Sequence, residues 1–541
     1  MSENRLEFLR LYRRRLRRRQ QPRRLRLAPV LALLLATPLL AEGLSPQEKR
    51  GKQIYTTGTS PRGTPITARV GGEATPLPGT AATCAACHGS DGRGRPEAGV
   101  IPSDITWDYL IKPYGHRHLM GRQHPAFSAD SLAETIRHGR DPAGNVLDPS
   151  MPVYAISDDD LADLLTYLRQ LERDSDPGLS DNAIRIGTIL PASGRLAKIG
   201  LSLREILQAA FEEINARGGI NGRRLQLVVV DYDAARQSPL ASAESLLRDG
   251  QVFAILSPVV LGADQEISDL VESEKIPLIG PLTLLSPDPF LLNDFTFYLF
   301  SGLREQMRVL IDFATRELQL SSPKTAVLLP TDDRYRDMVQ VITAQGKANG
   351  WTRAPLEIMT GSFDPSEAAE RLAKARIDIV FALGSSDLPA LLRAGEVLGW
   401  RPDVLLAGAS VRPALLDLPE SLQGKIHAAY PTVPTDHTAA GSAALRGLVE
   451  RVPVTSRHRT SQISAYVSAK VLATGLKRAG RDLSREKLVR ALERLYEYST
   501  GLTPPITYGA NRRIGALGAY IVAIDLKNDT FTPTHGWMTP Q

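Results

Sequence analysis

The chain has 541 residues, 43% of them hydrophobic, enough for roughly three domain-sized units of ~100–200 residues each. Its formal charge of +6 is concentrated: residues 1–41 hold eleven arginines against two acids, and the remainder carries 54 basic and 57 acidic residues. A body this close to neutral excludes a nucleic-acid partner held by a basic surface. The only two cysteines lie in one five-residue window, so there is no multi-disulfide framework.

In chain order, residues 1–41 come first and have the layout of a secretory signal. Arginines run from Arg5 to Arg26, an apolar run spans Leu27 to Leu40, and a small residue follows at Ala41. That run is short against the ~20 residues needed to cross a bilayer core. The expectation is export to the periplasm with cleavage near Ala41. No cysteine directly follows the run, so a lipid anchor has no attachment point.

Cys84-Ala85-Ala86-Cys87-His88 is a C-x-x-C-H sequence, the signature of covalent c-type haem attachment. Each thiol adds to a haem vinyl group, and the histidine stands under the iron as proximal ligand. A thioredoxin-like pair does not need the histidine and sits in a βαβ pattern, which is missing here; a structural zinc site needs four ligands, and no other cysteine exists. One motif implies one covalent haem c. Residues after His88 are small, polar and Gly-rich, as a chain wrapping a porphyrin edge must be. Two amphipathic helices are expected next. One covers 128–139, with Leu132 and Ile136 four apart; the other covers 157–171, with Ser157 as N-cap, three acids in the first turn and a leucine stripe. Candidates for the second iron ligand are Met120, Met151, His116, His118, His124 and His138.

The CxxCHG run, the helix ending Arg137-His138-Gly139, the Met151-Pro152 loop and the last helix with Tyr167-Leu168-Arg169 resemble a class I cytochrome c domain over about 45–172. The resemblance implies a small all-α domain with Met151 as distal ligand opposite His88. Such Met/His ligation raises the potential and closes the iron to substrates. The lead between Gly51 and Cys84, rich in Gly, Thr and Pro, is longer than in a minimal domain. It reads either as a cover for a haem edge or partner contact, or as a solvated loop.

Residues 173–182 are polar with Pro and Gly and read as a linker. Beyond them strand-like and helix-like stretches alternate, which defines an α/β architecture with parallel sheets. Strands are expected at 183–190, 225–231, 253–256, 277–279, 325–329, 377–383 and 519–524, and a helix at 201–216. The near-continuous apolar run 225–231 reads as a strand buried on both faces. The glycine-rich stretch Gly218 to Gly222 lacks G-x-G-x-x-G spacing and precedes a strand, so it is a weak nucleotide loop.

IGTILPASGRLAKIG (Ile186 to Gly200), INARGGINGRRLQLVVVDYD (Ile214 to Asp233), LSPVVLGADQEI (Leu256 to Ile267) and IPLIGPLT (Ile276 to Thr283) resemble type I periplasmic solute-binding proteins of the branched-chain amino-acid-binding branch. The likeness runs over about 183–541. It implies two lobes joined by three crossings, at about 183–302 with 430–505 and about 303–429 with 506–541, and a small-molecule ligand in the cleft. It places Ser193, Leu261, Thr283, Leu284 and Tyr335 at that cleft. Leucines stand where amino-acid-binding members carry hydroxyls for the ligand carboxylate, and the position of the acid that holds the ammonium falls near Leu303. A buried zwitterion without partners costs several kcal/mol per charge. The expected ligand is therefore less polar (an alcohol, aldehyde, aromatic or short acid), unless the cleft is an empty docking surface.

Three functions follow. The first is a periplasmic electron carrier, non-enzymatic, whose binding module senses a ligand or docks to a redox partner protein such as a dehydrogenase or another cytochrome. The second is an ABC-transporter-type solute receptor working with a membrane permease, with an accessory haem domain. The third, a haem enzyme such as a peroxidase, needs an open iron position or a second haem.

Overall fold

The computed structural model describes residues 44–541 except 72–74, 95–99, 119–120, 234–235, 286–292, 333–334, 360–363, 384–386, 412, 453–457 and 529. The expected signal segment 1–41, the ligand candidate Met120, and Ser286, a register alternative to Thr283 for a cleft hydroxyl, lie outside the described residues. Among those described, no helix is long and apolar enough to cross a membrane.

The first half is helical. Ser45 caps the helix Pro46–Thr57 in a reciprocal box with Glu48, and Ser157 caps the helix Asp158–Leu168 by accepting from the Asp160 N–H. These two helices cross in contact because Gly51 has no side chain: a Cβ there would stand 2.1 Å from the Asp163 carbonyl oxygen. Their apolar faces bury Ile54, Tyr55, Leu164 and Tyr167 against Leu132 and Ile136 of the helix Ala129–His138.

The Gly/Thr/Pro-rich lead is not a free loop. It supplies β1 (Thr67–Arg69) and β2 (Leu77–Pro78), which join β5 (Val153–Ala155) in a three-stranded sheet of order β2-β1-β5. Ser60, Arg62 and Thr64, also from the lead, bond the buried carboxylates of Asp160 and Asp163. Burial alone would push the Asp160 carboxyl up, but these hydroxyl and guanidinium donors hold it below the usual range. A second small ribbon, β3 (His116–Arg117) with β4 (Gln123–His124), completes this half. The helical domain therefore carries two β additions beyond the all-α expectation.

The second half is two doubly wound sheets. The first contains β6 (Ala183–Pro191), β7 (Arg224–Tyr232), β8 (Ala254–Leu256), β9 (Leu278–Ile279), β10 (Thr296–Phe300) and β16 (Ile514–Ala516), in the parallel order β16-β10-β9-β8-β6-β7. The second contains β11 (Thr325–Leu329), β12 (Leu356–Met359), β13 (Ile379–Ala382), β14 (Asp403–Ala407), β15 (Ile426–Tyr430), β17 (Ala519–Asp525) and β18 (Thr530–Met538), in the order β12-β11-β13-β14-β15-β17-β18. Its first five strands are parallel, and the last two close the edge antiparallel.

Two expectations shift. The run 225–231 is the heart of β7, an edge strand with most of its residues only half-buried; helices cover both its faces, which explains its apolar composition without a central position. The last crossing comes later than 506, because β16 pairs in parallel with β10 (Tyr298 opposite Ile514) and so belongs to the first sheet. The chain passes over at Gly518, whose N–H donates to Ser301 Oγ at 2.7 Å.

The polar stretch 173–182 is packed, not free. Asp174 accepts from the Tyr167 hydroxyl (2.7 Å), Gly178 O accepts from the Arg185 N–H (2.7 Å), and Asp176 accepts from the Arg485 N–H (2.6 Å).

Candidate functional sites

Thr83 caps the single helical turn Cys84–His88, accepting from the Ala86 N–H. The i, i+3 spacing sets both thiols on one side of the turn, with His88 directly after. Two tyrosines pin its ends: Tyr154 donates to Ala82 O at 2.7 Å and Tyr55 to Gly89 O at 2.6 Å. His88 is buried, and its Nδ1 lies 2.9 Å from Ser103 O, an acceptor only. The ring proton therefore sits on Nδ1, and Nε2 keeps its lone pair. Burial lowers the His88 pKa, which favours the neutral, ligating form, and pushes the Cys84 thiol up to about 11, an environment suited to a thioether. These groups fit haem c: Cys84 and Cys87 would carry the thioethers and His88 Nε2 the iron.

Met151 packs, half-buried, against the same apolar core as Cys84 and Ala85. Its loop is braced by the lead segment, since the Gly71 N–H donates to Pro149 O at 2.8 Å and β5 starts two residues after the methionine. Of the other ligand candidates, His138 is exposed beside Glu134 at the end of its helix, while His116, His118 and His124 gather on the β3–β4 ribbon.

At the cleft edge, the loops after β6, β8 and β9 lie at the C-terminal ends of parallel strands, where open α/β sheets bind ligands. Ser193 donates to Asp233, and Thr283 donates to Asp264 while accepting from the Leu285 N–H at 2.9 Å. The Leu261 and Leu284 loops are adjacent, joined through the Val260 N–H to Leu282 O, and Leu284 is 39% exposed. Leu284 O accepts from the Leu303 N–H at the first crossing, and Tyr335 packs on the second-lobe core that also takes Leu285.

Two residues were missed. Glu305 is the acid nearest the first crossing, but it is fully buried, with Oε2 accepting from the Gly302 N–H at 3.1 Å, so it caps its own helix Leu303–Arg316. Only its place two residues past Leu303 signalled it. Ser257 directly follows β8 with φ +46, in the left-handed region that disfavours side chains, and its buried hydroxyl has no partner among the described residues. No sequence signal marks that conformation.

The two halves touch beside the haem turn. Asp91 pairs with Lys487 at 2.7 Å, and Arg93 pairs with Asp482 at 2.9 Å. Burial works to raise the Asp91 pKa, but Lys487 and Arg93 hold it below the usual carboxylate range. Lys487 also forms one wall of a cavity of about 450 Å³ lined by Arg478, Arg490 and Arg494.

This architecture is that of a periplasmic binding protein preceded by a haem-attachment domain. The family described as periplasmic binding protein matches residues 183–530, so the chain belongs to it, and the family described as cytochrome c matches residues 78–172. The chain is 22% identical over 344 residues to the Leu/Ile/Val-binding protein BraC3 of Rhizobium johnstonii, a match covering 60% of this chain and 87% of that one. Among solved structures, the fold is shared with a fatty acid ABC transporter substrate-binding protein from Thermomonospora curvata (TM-score 0.53, 19% identity, 68% of this chain and 94% of that one). It is shared equally with a branched-chain amino acid ABC transporter protein from Thermus thermophilus with bound valine (TM-score 0.53, 16% identity, 66% and 97%). The protein is thus a cytochrome c domain, which implies covalent haem c, fused to a branched-chain amino-acid-binding-like periplasmic protein.

Proposed function

We propose that this chain is a periplasmic single-haem electron carrier whose state is read or set by its solute-binding half. The observation that carries this reading is the ion-paired contact of the loop after His88 with the first lobe, at Asp91–Lys487 and Arg93–Asp482. Bound haem c would supply one-electron exchange. His88 would hold the iron, Cys84 and Cys87 would fix the ring, and Met151 would close the sixth position, so that electrons pass to a redox partner protein without chemistry at the iron. The reading is tested by reduced-minus-oxidised spectra and carbon monoxide addition on the haem-loaded protein. The expected result is a low-spin c-type spectrum, a one-electron Nernst curve and no carbon monoxide complex in the ferrous form. Rapid carbon monoxide binding or peroxide turnover would instead make it a haem enzyme.

A transport receptor working with a membrane permease is the second reading, favoured by the Leu/Ile/Val-binding relatives. Against a zwitterionic ligand stands the cleft edge: the hydroxyls of Ser193 and Thr283 already donate to Asp233 and Asp264. A ligand carboxylate would have to displace a carboxylate from each. An uncharged or hydrogen-bond-donating ligand meets no such competition.

A further inference from the structure

The β3–β4 ribbon carries His116-Arg117 on one strand and Gln123-His124 on the other, and His118 directly follows the first strand, its N–H donating to Arg122 O at 2.9 Å. His116 and His124 are register partners, and His118 stands two residues from His116, so all three rings share one face. His124 Nδ1 lies 2.8 Å from Pro125 O, which only accepts, so Nδ1 carries the proton and Nε2 presents a lone pair. His118 Nε2 lies 3.0 Å from that Nε2. Two imidazoles bound to one tetrahedral ion at Zn–N distances of ~2.0–2.1 Å have their nitrogens about 3.3–3.4 Å apart, a few tenths of an ångström wider than this pair and within reach of a small ring rotation. The Pro125 carbonyl occupies the outer position that orients and strengthens a ligating imidazole.

The geometry points to a two-histidine site, His118 and His124, for an imidazole-seeking divalent ion such as zinc or copper. His116 is not a third ligand. Its Nε2 faces Leu110 O at 3.3 Å, and its ring packs at 4.9 Å from His124 and 4.5 Å from Tyr109, making a wall behind the pair. Among the described residues, no group of three His, Cys, Asp or Glu side chains is placed to hold a metal ion. The remaining coordination positions fall to water or an external ligand, so the site is open and exchangeable instead of structural. His118 is half-buried and gives access from solvent. The neighbouring guanidinium of Arg122 is paired with the buried carboxylate of Asp141 at 2.8 Å, which offsets part of the positive charge a dication would meet. The alternative use of the pair is a plain hydrogen bond from His118 Nε2–H to His124, and the test separates the two.

The test is equilibrium dialysis of the oxidised, haem-loaded full chain against buffered zinc, with zinc counted per haem. The expectation is one zinc per chain, at least a tenfold loss of affinity in His118→Ala, and no change in the exposed control His138→Ala. Because His118 is only half-buried, its substitution spares the core; His124→Gln is the second variant, with the haem spectrum reporting folding in both. Copper loading gives an independent readout, since two coupled nitrogens in its paramagnetic resonance spectrum mark a bis-imidazole site. Zinc bound equally by wild type and His118→Ala, or no zinc bound at micromolar concentration, overturns the proposal.

Discussion

The haem turn and the cleft edge both present polar groups at the ends of short loops, but in opposite states. At the haem turn His88 uses one ring nitrogen on Ser103 O and leaves the other unengaged. At the cleft edge the hydroxyls of Ser193 and Thr283 are held by Asp233 and Asp264. The first arrangement is incomplete without an iron; the second is internally satisfied. The haem turn therefore offers a ligating nitrogen, whereas a ligand that needs those hydroxyls as donors would first have to displace Asp233 or Asp264.

The largest test of that contrast is loss of the cofactor. His88→Ala or Cys84→Ala should abolish stable haem, read as loss of the c-type band after denaturation, while Ser193→Ala should leave haem content unchanged. Met151→Ala comes next: haem is retained and the midpoint potential falls in potentiometric titration, because thioether ligation favours the ferrous state. An unchanged potential would remove Met151 from the iron.

Gly51→Ala puts a methyl group onto the Asp163 carbonyl where the two terminal helices cross. Overpacking of this kind costs about 1–3 kcal/mol, so thermal unfolding of the haem half should move down while that of the binding half stays. Thr283→Val removes both the bond to Asp264 and the cap on the Leu285 N–H, which costs about 1–3 kcal/mol where a donor is left unpaired. It should act only on the binding half.

Lys487→Gln is the smallest expected effect. Its pair with Asp91 is partly exposed, and such pairs contribute about 0.2–1 kcal/mol. The Asp91 pKa is depressed in the folded chain. The contact is thus fully present above the ordinary Asp value of about 3.9 and is lost as pH falls through the depressed one. A small, salt-sensitive fall in potential is expected in the variant, since Asp91, in the loop after His88, then keeps only the compensation that Arg93 gives it.

The haem turn was legible in the sequence because covalent attachment and axial ligation force Cys84, Cys87 and His88 into one contiguous motif. Local rules also placed Ser157 as a cap and strands such as β11, since both depend on neighbours in the chain. What escaped depends on distant partners. β1 and β2 have three and two residues, too few to show an alternating pattern, and they exist because β5 pairs with them. β16 joins the first sheet through a partner some two hundred residues earlier, which no local pattern records. The stretch 173–182 looks like a linker by composition, yet its polar groups bond residues on both sides of it, Tyr167 at Asp174 and Arg485 at Asp176. The Asp233 and Asp264 partners of the cleft hydroxyls were invisible for the same reason.

The central claim is that the state of the binding half reaches the haem, and by linkage any such coupling is reciprocal. The most direct measurement is a redox titration of the haem-loaded full chain with and without saturating leucine, valine, small alcohols, aldehydes and fatty acids, alongside direct binding of each. The account predicts that the ligand that binds shifts the midpoint potential, and that reduction of the haem changes that ligand's affinity by the same factor. A ligand that binds the cleft and leaves the potential unmoved would contradict it, and would leave the cytochrome as an independent carrier joined to a solute receptor.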